Sequence, residues 1–120
     1  MRNNPLVILS KEFSVDIVRL CTSLKDFKIS SILLNQLLRC ATSIGANIHE
    51  GNYASSRADF INKFKIALKE CYETEYWLDI FKDSEIIAQE THTLLIAKCY
   101  KLRKMLSASI VTAKSNTDKY

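Results

Sequence analysis

Apolar residues recur along this chain at alternating intervals of three and four, the mark of helices buried along one side. The series Phe60, Phe64, Ala67, Cys71, Thr74, Leu78 and Phe81 steps by 4, 3, 4, 3, 4 and 3. A seven-residue repeat held that long predicts one largely apolar seam along a long helix. The preceding segment repeats the pattern with Leu34, Leu37, Ala41, Ile44 and Ile48, and beside that seam runs a polar row, Arg39, Ser43, Asn47 and Glu50. On the later segment a second row, Ile61, Leu68, Tyr72 and Tyr76, widens the apolar face and predicts contacts on two sides. Two facing seams of this length predict a helical bundle.

Two further helices complete it. Residues 1–9 read as a mobile lead-in, after which Ser10 caps a helix carrying Phe13, Ile17, Leu20 or Cys21, and Leu24. That helix fades where polar residues gather at Asp26–Lys28, and Ser30 or Ser31 opens the second, which runs to about His49 or Glu50. Gly51 is expected to end it in the left-handed conformation that glycine tolerates. Ser56 with Asp59 forms a capping box that starts the third helix, which reaches about Lys82. After the polar break Asp83-Ser84-Glu85 the last helix begins between Ile86 and Gln89, bears Ile87, Leu94, Leu95, Cys99, Leu102, Leu106 and Ile110, and frays from about residue 114 to 120. Short connections make neighbours antiparallel, so the fold expected is all-α, an up-down-up-down four-helix bundle forming a single domain over residues 1–120.

Composition narrows the class of protein. Two glycines and one proline among 120 residues argue against a turn-rich β fold. No apolar run approaches the length of a membrane span, and Leu6–Leu9 is too short for the apolar part of a secretory signal, so a cytoplasmic location is expected. Cys21, Cys40, Cys71 and Cys99 fall one to a helix with no Cys-x-x-Cys pair, which reads as four buried, reduced thiols rather than a metal site.

Over "LLRCATSIGANIHEG" (Leu37–Gly51) and "ADFINKFKIALKECYETEYWLDIF" (Ala58–Phe81) the chain resembles a bacterial family of small four-helix bundles. These proteins are encoded in intervening sequences of large-subunit ribosomal RNA genes and carry a ribosomal-protein-like name. The most specific run is Ser43, Ile44, Asn47, Ile48, Glu50 and Gly51, with Arg39 before it and Phe60, Ala67, Glu73 and Leu78 after it. The chain departs from the pattern at Ala88–Thr91, where a Ser/Thr-x-x-Glu box is usual, and at His49, where a small residue is common. At fold level the family resembles accessory proteins of diversity-generating retroelements, pentameric barrels that bind a reverse transcriptase and nucleic acid. A homo-oligomer, a pentamer in particular, and RNA, DNA or a reverse-transcriptase-like partner are what that resemblance implies.

Few residues are spaced for chemistry. Arg39, Ser43, Asn47 and Glu50 on one helix face Glu70 and Glu73, with Trp77, on the next, and read as a buried polar network that sets helix register, Asn47 bonding backbone near the turn. Ferritin-like di-metal sites need Glu-x-x-His on two helices. His49 and His92 are the only histidines, and the residues three before them are Ala46 and Gln89. No nucleophile elbow or glycine-rich phosphate loop occurs. Neither enzyme, metal, cofactor nor small-molecule substrate is expected.

Charge and aromatic residues say more. Net charge is +2 over residues 1–50, −1 over 51–83 and +3 over 84–120, for a total of +4. Lys98, Lys101, Arg103, Lys104 and Lys114 form a basic run on the last helix that no acidic residue interrupts, a surface suited to phosphates. Tyr72, Tyr76 and Trp77 cluster on helix three as an expected subunit interface. Together these predict a non-enzymatic oligomeric scaffold that binds nucleic acid or a nucleic-acid enzyme through the basic helix. The alternative is a protein-interaction module in which the same lysines keep the bundle soluble.

Overall fold

The computed structural model describes residues 4–117, with side chains to residue 115. Helix α1 (Pro5–Leu24) starts well before Ser10, which corrects the expected lead-in over its last five residues. Asn4 is the N-cap, its Oδ1 accepting from the Val7 amide at 2.9 Å, and Pro5 occupies the first turn, where its missing N–H costs nothing. Ser10 lies buried inside the helix and donates to the Val7 carbonyl at 3.0 Å. Residues 1–3 of the expected lead-in, and 118–120 of the expected tail, lie outside the described residues.

Helix α2 (Ser31–Asn52) buries Leu34, Leu37, Ala41, Ile44 and Ile48 as its periodicity predicts. Its end differs from expectation. Gly51 is helical rather than left-handed, and its value lies in its missing side chain: a Cβ there would stand 2.7 Å from Cε1 of Phe64. Tyr53 follows as the C-cap, its N–H donating to the Glu50 carbonyl while that of Ala54 donates to Gly51.

Helix α3 (Arg57–Asp83) opens on Ser56, whose hydroxyl accepts from the Asp59 amide at 3.1 Å. Asp59 returns the bond to the Ser55 amide, one residue further out than in the usual box. The seam Phe64, Ala67, Cys71, Thr74, Leu78 and Phe81 is buried, while Phe60 is half-buried and stacks on Phe64 with ring centroids 4.1 Å apart. The helix ends in a Schellman arrangement: the Ile86 amide bonds to the Phe81 carbonyl and that of Glu85 to Lys82. Glu85 takes the left-handed position, with φ 62°.

Helix α4 (Gln89–Thr117) continues through residues 114–117, where fraying was expected. It buries Leu95, Cys99, Leu102, Leu106 and Ile110, but Leu94, expected in the core, is 63% exposed. Leu95 takes the inward place, and Leu94, about 100° away around the helix, turns to solvent.

The four helices take in more than three-quarters of the chain, and no strand occurs among the described residues. Each helix packs on its sequence neighbour and α4 closes on α1, while among the described residues the backbones of diagonally opposed helices stay apart. That arrangement is the antiparallel up-down-up-down bundle, about 55 Å long and 22 Å across. One continuous core runs through it, with Phe13, Ile17, Leu37, Ile44, Leu78, Phe81, Leu102 and Leu106 fully buried.

Candidate nucleic-acid interface

Two polar features flank α3, one toward α2 and one toward α4. On the α2 side Arg39 forms a fork, bonding Glu70 through Nη1 at 3.2 Å and Glu73 through Nη2, while Trp77 Nε1 donates to the same Glu73 oxygen at 3.2 Å. Burial acts to raise the Glu73 carboxyl, but the bonds from Arg39 and Trp77 outweigh it and hold the group below its ordinary value. Donating to Glu73 likewise raises the Arg39 guanidinium. Arg39 is 53% exposed, so this is a clasp on the bundle's edge rather than the buried network expected.

The remaining members of that row act elsewhere. Asn47 donates to the Ser43 carbonyl at 2.9 Å and to the Ser43 hydroxyl at 3.0 Å, one turn back in its own helix rather than near the turn. Glu50 pairs with Lys63 of α3 at 3.1 Å. The six residues of the expected network therefore divide into the clasp, a local bond within α2 and an exposed ion pair.

The thiols are buried, one per helix. Burial pushes Cys40 up to about 11, and the neighbouring Cys71 together with burial raises Cys99. Thiols held protonated make poor nucleophiles and poor metal ligands. Among the described residues no group of three or more His, Cys, Asp or Glu is placed to hold a metal ion.

On the α4 side the structure joins two features that sequence kept apart. The Arg103 guanidinium bonds Glu75 at 2.9 Å and the Tyr72 hydroxyl at 3.4 Å, and it lies 4.8 Å from the ring centres of both Tyr72 and Tyr100. Lys104 Nζ stands 5.4 Å from the Tyr100 ring. Tyr72, Tyr76 and Tyr100 remain about half exposed, at 54%, 56% and 46%. Tyr76 meets Trp77 edge-on at 5.2 Å, with Trp77 itself half-buried.

Of the five basic residues on α4, Lys98 pairs with Asp16 of α1 and Arg103 with Glu75, so part of their charge serves the bundle. Lys101, Lys104 and Lys114 are exposed. Contact with Lys65 of α3, and the charge of that lysine, lower the Lys114 ammonium from its ordinary value. Sequence reasoning missed Lys65, Lys69 and Tyr100. The signal was there: Lys65, Lys69, Tyr72 and Tyr76 step by 4, 3 and 4 along α3, and Tyr100, Lys104, Ser107, Val111 and Lys114 by 4, 3, 4 and 3 along α4.

No helix of the described residues is long and apolar enough to cross a membrane. No curated protein matches the chain. A family profile described as 23S rRNA-intervening sequence protein matches residues 2–108. Among solved structures the chain is similar to a protein of unknown function from the S23 ribosomal protein family of Bacteroides thetaiotaomicron. The two are 43% identical over 88% of this chain and 97% of that one, with a TM-score of 0.85. With its signature run on α2, its seam on α3 and this match over nearly its whole length, the chain belongs to the 23S rRNA-intervening sequence protein family.

Proposed function

We propose that this protein is a non-enzymatic helical scaffold that binds nucleic acid through the exposed cations of α4, as a cytoplasmic homo-oligomer. The carrying observation is that Lys101, Lys104 and Lys114 stand exposed along α4 with no acidic residue from Lys98 to Lys114, and no ion pair among the described residues engages these three. Unneutralised lysines along one rigid helix attract phosphates and release their counterions. Self-association strengthens the effect: a net charge of +4 per subunit becomes about +20 in a pentamer.

The test titrates fluorescently labelled RNA and DNA at two ionic strengths. Binding at low salt should weaken as salt rises and vanish when Lys101, Lys104 and Lys114 are changed together to Glu. Arg103 is left alone because it holds Glu75. Absence of binding at low salt, or indifference to the triple change, refutes the proposal. The half-exposed Tyr72 and Tyr76 support a second reading, a protein-interaction module whose tyrosines meet a partner subunit. In that case light scattering reports an oligomer that falls apart when both tyrosines are replaced, and nucleic acid stays unbound.

A further inference from the structure

The α3–α4 face carries more than charge. The helices run antiparallel, so Lys65 near the start of α3 meets Lys114 near the end of α4, and Tyr72 meets Arg103. Between those contacts the two rows lie side by side. From Lys65 to Tyr76 the strip rises about 16 Å. Its cations are Lys65, Lys69, Lys104, Lys114 and Arg103; its rings are Tyr72, Tyr76 and Tyr100. The one carboxylate along it among the described residues is Glu75, already bound to Arg103. Asp79 comes a turn beyond, bonded to His92.

Resting on the nucleic-acid reading above, we infer that this strip binds single-stranded polynucleotide in preference to duplex, bases lying on Tyr72 and Tyr100 while the lysines track the phosphates. Three features point that way. Tyr72 and Tyr100 stay about half exposed even with Arg103 against them, and an unpaired base offers a π-face to such rings where a duplex keeps its bases stacked inside. Arg103, fixed by Glu75, lies against both rings and holds them in place, so little order is lost on binding. Two ammonium groups meeting at Lys65 and Lys114 repel each other, and a phosphate between them turns that repulsion into two charge-assisted bonds.

The experiment measures fluorescence anisotropy of an oligouridine of about 15 nucleotides, and of an RNA duplex of matched length, each across a salt series. Three proteins are compared: the full chain, Tyr72→Leu with Tyr100→Leu, and Lys65→Gln with Lys114→Gln. The parent chain should favour the single strand by about tenfold or more. The tyrosine variant should lose about tenfold or more in single-strand affinity with its salt dependence unchanged, since stacking carries no counterion. The lysine variant should bind more weakly and with a slope against log salt smaller by about one. Circular dichroism verifies that each variant keeps its helices, and the lysine pair, fully at the surface, provides the independent arm should the leucines disturb packing.

Equal or tighter binding of duplex overturns the inference while leaving salt-dependent binding through α4 in force. No binding of either probe overturns both. A tyrosine variant that binds the single strand as the parent does, or one that changes oligomeric state by light scattering, assigns the rings to packing or to a second copy and defeats the inference.

Discussion

Gly51→Ala isolates what the end of α2 requires. Gly51 is helical, so alanine by itself should stabilise the position by about 1 kcal/mol through helix propensity. Against that, the new methyl would lie 2.7 Å from Cε1 and 2.8 Å from Cδ1 of Phe64. That ring is only 3% exposed and stacks on Phe60, so it has nowhere to swing. Forcing it aside costs about 1–3 kcal/mol, which leaves a net loss of up to about 2 kcal/mol. Phe64→Leu opens the space at a cost of its own, about 1 kcal/mol. In that background Gly51→Ala should be neutral or stabilising, giving a coupling of about 1 kcal/mol or more between the two sites. Urea unfolding of the four proteins, followed by helical circular dichroism, measures it. A cost of Gly51→Ala that persists unchanged in the Phe64→Leu background would refute the ring contact and return the glycine to a backbone role.

Other outcomes follow from the same geometry. Glu85→Gly should raise stability by about 0.5–1 kcal/mol, seen as a higher melting temperature, because glycine meets the left-handed φ of 62° without the steric penalty of a Cβ. Glu73 has its folded value held below the ordinary carboxylate value of 4.5, so its contribution is complete above about pH 4.5 and is lost as pH falls through the lower, folded value. With Arg39 half exposed that contribution is under about 1 kcal/mol, and the stability difference between the parent and Glu73→Gln should shrink between pH 6 and pH 3 in urea titrations. Asn47→Ala should cost under about 1 kcal/mol, less than a cross-helix bond would, since its partners lie within α2 and it is half-buried; a loss above about 2 kcal/mol would show that it holds something more. Leu78→Ala, at the fully buried seam, should cost about 2–5 kcal/mol in the same assay.

By itself the sequence determined where each helix turns its apolar side. Leu34 to Ile48 and Phe64 to Phe81 are buried in the order their spacing demands, because a 3.6-residue turn aligns such residues on one face whatever that face meets. It also held the start of α1, in Asn4-Pro5, where a capping side chain precedes a residue whose missing N–H no helix needs. The capping of α3 by Ser56 is local for the same reason.

Tertiary structure decided what periodicity cannot reach. A repeat fixes a residue's angle about its own axis, but not which residue of the next helix stands at the same height. Only the antiparallel register of α3 and α4 sets Arg103 between Tyr72 and Tyr100 and sends Lys65 to Lys114, making one strip of residues that lie about thirty to fifty positions apart. The same holds for Gly51, whose role depends on a Phe64 ring delivered by another helix. Long charged side chains add their own reach: Arg39 extends to two carboxylates on α3, while Lys98 turns away from the basic row to Asp16 on α1. Local spacing settles burial because the hydrophobic effect acts on each face as a whole. Partnership between polar groups depends on distances of about 3 Å, and only the packed bundle supplies those.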